Sequence, residues 1–290
     1  MRRGSYRPFT PQWVYFDAAT SDMMYRLPSM FPTPHHRNYG IYQVGNGSSV
    51  PFSVLMIASI PDLHVTGAGS GGQFFPRFTY EQNNATAAGE LDYGSTADDS
   101  EIDEYGYRRI DNITDDILAV YQTTLGESVT KDQIFWSVYG QLHVPSYRAT
   151  YAADLKKMLP HIPVPDTVER FTQLAQAGEK LGNLHMRYED VDPYPLDVQL
   201  KPGTDPADRE TWRVQKMKWH SKTDHTAIIY NPKVTITGIP PKPKSTCSGH
   251  ARHWRGSSIV TRSRPTKHRA SSTTPTSGAT STTTPPTSST

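Results

Sequence analysis

The run Thr130-Lys131-Asp132-Gln133-Ile134-Phe135-Trp136-Ser137-Val138-Tyr139-Gly140-Gln141-Leu142 decides the fold class. Thr130 with Gln133 three residues later is a capping box, in which each side chain satisfies a backbone N–H that the first helical turn leaves open. Ile134, Phe135, Val138, Tyr139 and Leu142 then recur at helical spacing, and Pro145 stops the segment. Upstream, a helix is expected to begin at Asn112 or Thr114, with Asp115 and Asp116 at the positive end of its dipole. It carries Ile117, Leu118, Tyr121 and Leu125 and closes at Gly126. Downstream, Ser146 is expected to cap a third helix bearing Tyr147, Tyr151 and Leu155 and ending at Pro160. After the connector His161-Ile162-Pro163-Val164-Pro165, Asp166 and Glu169 form a second capping-box pattern. Phe171, Leu174, Leu181 and Leu184 form the stripe of that fourth helix, and we read these aromatic and leucine residues as core packing.

The flanks of this helical block, about residues 112–188, have a different period. Trp13 to Phe16, Tyr39 to Val44, Phe52 to Ser59 and Phe74 to Tyr80 are short runs rich in Tyr, Phe, Val and Ile, and they predict strands. The loop Pro32-Thr33-Pro34-His35-His36-Arg37-Asn38 separates two of them, either as a solvated loop or as one that presents hydrogen-bond donors. Residues 82–112 are polar and carry Glu90, Asp92, Asp98, Asp99, Glu101, Asp103 and Glu104, the pattern of an acidic surface insertion. Beyond the helices, Pro193, Pro195, Pro202, Gly203 and Pro206 mark a polar connector. Val214 to Trp219, Thr226 to Tyr230 and Val234 to Thr237 then predict a small antiparallel meander with a turn at Asn231-Pro232-Lys233. The expected class is therefore α+β: a β-rich amino-terminal part, a central helical block, a small antiparallel meander and a disordered carboxyl tail. In that tail, fifteen of the twenty residues from 271 to 290 are Ser or Thr, too few apolar groups to build a core.

The chain has 290 residues, long enough to bury a sizeable core. Its 35% hydrophobic content is low because residues 242–290 contribute almost nothing apolar. No Asp or Glu follows Asp224, whereas nine Lys and Arg do, so subtracting those nine from the formal +2 leaves residues 1–224 at −7. A global basic charge is excluded as an argument for nucleic-acid binding, and any such binding has to rest on a local face. A single cysteine, Cys247, excludes an internal disulfide framework. The basic start Met1-Arg2-Arg3 has no apolar run behind it and no stretch is long and apolar enough to span a bilayer, so the expected location is the cytoplasm. The Asn-x-Ser/Thr matches at Asn46, Asn84 and Asn112 are then incidental.

The sequence carries no complete motif for catalysis. Gly67, Gly69 and Gly72 match G-x-G-x-x-G, but Gln73-Phe74-Phe75-Pro76 follows instead of a helix, so a Gly-rich turn is the better reading. No P-loop occurs, nor the aromatic-flanked Pro-Pro-Tyr set that holds an exocyclic amine for methylation. Cys247, His250 and His253 are spaced like metal ligands but fall one short of a structural zinc set. The reading is no enzyme, no cofactor and no metal.

Tyr6-Arg7-Pro8-Phe9 followed by Trp13-Val14-Tyr15-Phe16-Asp17 resembles the opening of the target-recognition region of large single-chain restriction-modification enzymes. Ile60-Pro61-Asp62-Leu63-His64, Gly71-Gly72-Gln73-Phe74-Phe75-Pro76, Ile134 to Gly140, Tyr147 to Lys157 and Pro160-His161-Ile162-Pro163 resemble the carboxyl-terminal specificity domain of the type ISP enzymes. Lys216-Met217, Ile228 to Asn231 and Ile236-Thr237-Gly238-Ile239-Pro240 continue the likeness. The resemblance covers residues 5 to 241 and implies a target-recognition domain over 1–241 that reads an asymmetric double-stranded DNA site. It also implies that an intact family member carries, ahead of this region, a nuclease, a helicase-like motor and an adenine methyltransferase; a polypeptide encoded upstream that supplies them is one candidate partner. After Pro241 the chain departs from the family into Ser, Thr and Arg, which we read as a change of reading frame, a hypothesis the nucleotide sequence tests. The motifs do not fix which residues touch bases. Chemistry suggests Arg7, the loop residues His35, His36, Arg37 and Asn38, and the meander lysines Lys216, Lys218 and Lys222. On this reading Arg37 serves discrimination between sites. The alternatives are a protein-docking fragment that completes a split methyltransferase and motor enzyme, and an inactive remnant of a disrupted gene.

Overall fold

The computed structural model describes residues 1–17, 19–67, 71–83, 102–214 and 216–240. The fold is α+β, and among the described residues the strands form four small sheets. The amino terminus is a hairpin of β1 (Arg2–Arg7) and β2 (Thr10–Val14), so the basic segment ahead of Trp13 is itself a strand. A short helix α1 (Leu27–Met30) follows. Arg2 donates from Nη1 to the Phe31 carbonyl at 2.5 Å and from Nη2 to the Thr33 carbonyl at 2.8 Å, tying the hairpin to the loop after α1.

β3 (Gly40–Val44), β4 (Val54–Ile57) and, after β5 (Ile60–Pro61), β6 (Gly72–Pro76) build the central sheet in the order β4-β3-β6, all antiparallel. β5 instead runs parallel to β1. Successive side chains of a strand point to opposite faces, and here both faces are covered. Ile41, Val54 and Met56 pack on the helices, while Tyr42, Leu55 and Ile57 pack with Val65 and Phe9 on the other side. Each fully buried side chain of this kind contributes about 1.5–3 kcal/mol. Gly72 begins β6 because a Cβ there would overlap the Tyr42 ring, whose hydroxyl donates to the Leu63 carbonyl at 2.7 Å.

The run Phe74 to Tyr80 is broken at Arg77 into β6 and β7 (Phe78–Gln82), a correction to the single strand expected. The reason is a buried guanidinium: Arg77 donates to Asp132 at 2.8 Å and pairs with Asp111. β7 pairs with β8 (Tyr107–Asp111), which lies inside the stretch expected to be an acidic insertion. Glu90, Asp92, Asp98, Asp99 and Glu101 lie outside the described residues.

The helices begin where their caps are. Thr114 accepts from the Ile117 amide at the start of α2 (Asp115–Leu125), and Gly126, at φ 104°, ends it. The Thr130–Gln133 capping box opens α3 (Lys131–Gln141) as expected. The third helix differs. Val144 is the cap of α4 (Pro145–Thr150), Pro145 takes the first turn where no N–H is required, and the helix ends ten residues before Pro160. The fourth, α5 (Val168–Met186), is capped by Thr167, which accepts from Arg170 N, and not by Asp166. Either of those adjacent side chains has the chemistry of a cap. Tyr121, Leu125, Val129, Ile134 and Phe171 form the core of α2, α3 and α5, whereas Ile117, Tyr151 and Leu184 remain exposed.

The last sheet has the order β10-β11-β12-β9. Its outer strand β9 (Asp197–Leu200) arises from the supposed connector and pairs with β12 (Val234–Thr237). β10 is only Lys218–Trp219, and β11 is Ile228–Ile229. The Ser/Thr-rich tail and the Cys247, His250 and His253 group lie outside the described residues. No helix among the described residues is long and apolar enough to cross a membrane.

Candidate nucleic-acid interface

Arg3, Ser5 and Arg7 alternate along β1, and all three line one cleft of about 280 Å³. Arg37 comes to the same cleft from the loop before β3, and His185 and Tyr188 wall it at the end of α5. Leu55, Met56 and Ile57 of β4 also line it. Among the described lining residues none is Asp or Glu. Arg7 is held in place: its Nη1 donates to the carbonyls of Tyr6 at 2.7 Å and His64 at 3.1 Å, and its guanidinium lies 4.0 Å over the Tyr6 ring and 3.6 Å from Asp62. Arg3 pairs with Glu189 at the surface. Phe9, at φ 54°, packs edge-on against His185 and Tyr188.

The loop residues divide by parity. His36 is 6% exposed and Asn38 is 3% exposed, whereas His35 and Arg37 are exposed. His36 Nε2 lies 2.7 Å from Asp103 Oδ2 and Nδ1 lies 2.6 Å from Thr33 Oγ1, with the Tyr80, Tyr105 and Tyr107 rings edge-on around it. The Asn38 amide donates to the carbonyls of Met30 at 2.9 Å and Phe78 at 2.7 Å. Both side chains are spent on internal partners, so of the four loop candidates His36 and Asn38 hold the loop, while His35 and Arg37 face outward. His35 stacks on Tyr105 with centroids 4.6 Å apart, and the Arg37 carbonyl accepts from the Tyr80 hydroxyl at 3.0 Å.

Asp103 anchors that arrangement. Desolvation pushes its carboxyl up, but the hydrogen bonds it accepts from the Tyr107 and Tyr105 amides and from His36 outweigh this and hold it below the ordinary carboxylate value. A depressed carboxyl contributes stability that is present above its unfolded value and lost as pH falls through its folded one. Acidification through that range is therefore expected to loosen the 33–38 loop before the central sheet. Amide exchange at Tyr105 and Tyr107 checks this: both should accelerate in Asp103→Asn at neutral pH, and equal protection in the variant would refute it.

Lys216, Lys218 and Lys222 are exposed and make no ion pair among the described residues. In β10 Lys218 faces out and Trp219 is half-buried, 4.7 Å from the His225 ring. None of the three lysines lines the arginine cleft. Among the described residues no group of three or more His, Cys, Asp and Glu is placed to hold a metal ion.

Residues 1–242 match the model of the Type ISP C-terminal specificity domain. The chain belongs to this family. Three solved structures resemble the specificity domain. The ATP-dependent Type ISP restriction-modification enzyme LlaBIII bound to DNA is 26% identical with a TM-score of 0.65, over 83% of this chain and 14% of that one. A nuclease-deletion mutant of the Type ISP enzyme LlaGI in complex with a DNA substrate mimic is 29% identical with a TM-score of 0.58, over 82% and 18%. The DrdV–DNA complex is 28% identical with a TM-score of 0.63, over 82% and 21%. The chain thus spans between 14% and 21% of the length of these chains. A search of curated proteins found no match.

Within the specificity domain the structure brings Arg7 and Arg37 to one cleft and adds Arg3, Tyr188 and His185, which sequence reasoning did not single out. Arg3 was within reach, because Arg3, Ser5 and Arg7 alternate as one face of a strand does. Tyr188 and His185 carried no such signal, since their position depends on where α5 ends against β1.

Proposed function

We propose that this specificity domain reads a double-stranded DNA target site and performs no catalytic step itself. The observation that carries the reading is the family match over residues 1–242, supported by three similar structures that hold DNA or a DNA substrate mimic. An arginine-lined cleft in a body of net negative charge and the outward-facing His35 and Arg37 agree with it. His35 is then a candidate for base edges in the groove, and the meander lysines are candidates for phosphates. Nuclease, motor and methyltransferase steps fall to polypeptide encoded upstream, and the complex works in the cytoplasm.

Salt-titrated binding to random duplexes tests this. Affinity should fall linearly on logarithmic axes as salt rises. Lys218→Gln should weaken all sequences alike and reduce the slope by about 1. No detectable affinity with the motor and methyltransferase regions supplied in trans would refute the proposal.

One observation favours a second reading, docking on a methyltransferase or motor chain. Met23, Tyr25 and Leu63 are exposed at the rim of a largely apolar cleft of about 870 Å³. Such patches mark contact surfaces. Met23→Glu weakening assembly with those regions while leaving duplex affinity unchanged would support it.

A further inference from the structure

We propose that the cleft between β1, β4 and the end of α5 holds one phosphodiester group, gripped by Arg3, Arg7 and Arg37. This rests on the DNA-reading role proposed above and names the part of the ligand that the cleft takes. Residues 1–224 sum to −7, yet this cleft gathers three guanidinium groups and, among its described lining residues, no carboxylate. The counter-charges of Arg3 and Arg7, Glu189 and Asp62, are not among the lining residues, and Arg37 has no ion pair among the described residues. Arg3 and Arg7 each already face one carboxylate outside the cleft, so the charge left without a counter-ion among the described residues is that of Arg37, and an anion entering there meets donors of all three guanidinium groups.

The chemistry selects the anion. A guanidinium offers its donors as a planar fork that matches two oxygens of a phosphate. Arg7 is already fixed over Tyr6 by two backbone carbonyls, so little side-chain freedom is lost on binding. Ser5 and Ser59, with hydroxyl oxygens 2.7 Å apart, supply neutral groups beside the cations. At about 280 Å³ the space lies at the small end of ligand sites and suits one tetrahedral group with part of its sugar. Arg37 then holds backbone, and replacing it weakens all sequences alike rather than lowering discrimination between sites.

The test uses the full chain with random-sequence duplex, titrated with salt, as wild type, Arg3→Gln, Arg37→Gln and the double variant. Arg7 is left in place because it braces β1 against His64. Far-UV circular dichroism and melting of the two single variants should match wild type, since both side chains are exposed. One shared phosphate predicts that the double variant lowers the logarithmic salt slope by about 0.9 in total, the counterion release of a single phosphate, with each single variant losing no more than that. Binding at low salt should fall about tenfold in the double variant, the scale of one charge-assisted contact. A slope loss of about 1.8 would assign two separate phosphates and overturn the clamp. An unchanged slope with reduced discrimination would return Arg37 to a base edge and overturn it too. Should the chain bind no duplex at any salt even with the motor and methyltransferase regions supplied in trans, the DNA-reading role fails, and the cleft is judged by dimethyl phosphate and inorganic phosphate. Arginine Nε–Hε shifts at Arg3, Arg7 and Arg37 that disappear in Arg37→Gln support a phosphate site. Absent shifts refute it, and shifts with inorganic phosphate alone refute the diester.

Discussion

Gly178→Val is expected to destabilise the specificity domain by about 4 kcal/mol or more, a large share of the 5–15 kcal/mol by which a domain is ordinarily stable. The position lies in α5, where intrinsic propensity alone would favour alanine over glycine by about 0.5–1 kcal/mol and β-branched valine by less. Packing decides against it. A Cβ on Gly178 would fall within 3.0 Å of both the Trp136 carbonyl oxygen and the Gly140 nitrogen of α3, and those are backbone atoms that cannot swing aside. A Cβ on Gly140 would likewise meet the Leu174 carbonyl, and one on Gly182 would meet the Trp136 ring at 2.5 Å. The three glycines therefore form a seam along which the two helix backbones touch. Widening it would pull Phe135 and Tyr139 away from Met56 and Ile41, since all four share one core. Overpacking costs of about 1–3 kcal/mol are usual where a side chain can yield, and here backbone must move. Urea unfolding at constant pH measures the loss. A change below about 1 kcal/mol would show that the helices slide apart freely, contrary to this packing.

Arg77→Met is expected to cost about 3 kcal/mol, the lower end of the range for breaking a buried ion pair. Arg77 is 3% exposed and reaches Asp111 at the end of β8 and Asp132 in the first turn of α3, with its guanidinium 4.5 Å from the Phe78 ring centroid. Desolvation opposes its charge, but the hydrogen bonds it donates to Asp111 and Asp132 outweigh it and raise its pKa above the ordinary arginine value. The substitution keeps apolar volume but strands both carboxylates. Asp132, 64% exposed, rehydrates, whereas Asp111, 25% exposed, is less able to. Asp111→Asn should therefore cost more than Asp132→Asn. Arg77→Lys should restore only part of the loss, because one ammonium cannot span both partners with a planar fork. Equilibrium unfolding of the four variants checks the order, and a stability for Arg77→Met within about 0.5 kcal/mol of wild type would show that the cluster merely breaks even with an apolar side chain.

Much of the helical block was legible because its signals are local. Thr114, the Thr130–Gln133 box and Gly126 act within four residues of themselves, and each sits where its chemistry places it. Where two neighbours could serve, the choice passed to tertiary context: Thr167 took the cap from Asp166, and Val144 with Pro145 preceded Ser146. Features made by distant partners were not legible. Arg77 interrupts an apparently continuous strand because Asp111 and Asp132 lie far along the chain. β9 has little strand propensity and exists because β12 offers it an edge. The same limit applied to the site. His35-His36-Arg37-Asn38 reads as four polar residues on a loop, and the burial of His36 and Asn38 depends on Asp103 and Phe78. The glycine seam went unread: Gly178 and Gly182 lie one turn apart, but their role depends on Gly140 from the other helix.

The central claim, that this chain itself carries target recognition, is tested most directly by incubating the purified protein with a duplex pool randomised over its central positions and sequencing the retained fraction across a salt series. The account predicts enrichment of one asymmetric site, growing sharper as salt removes non-specific complexes. Retention that falls with salt and never enriches a sequence would contradict it.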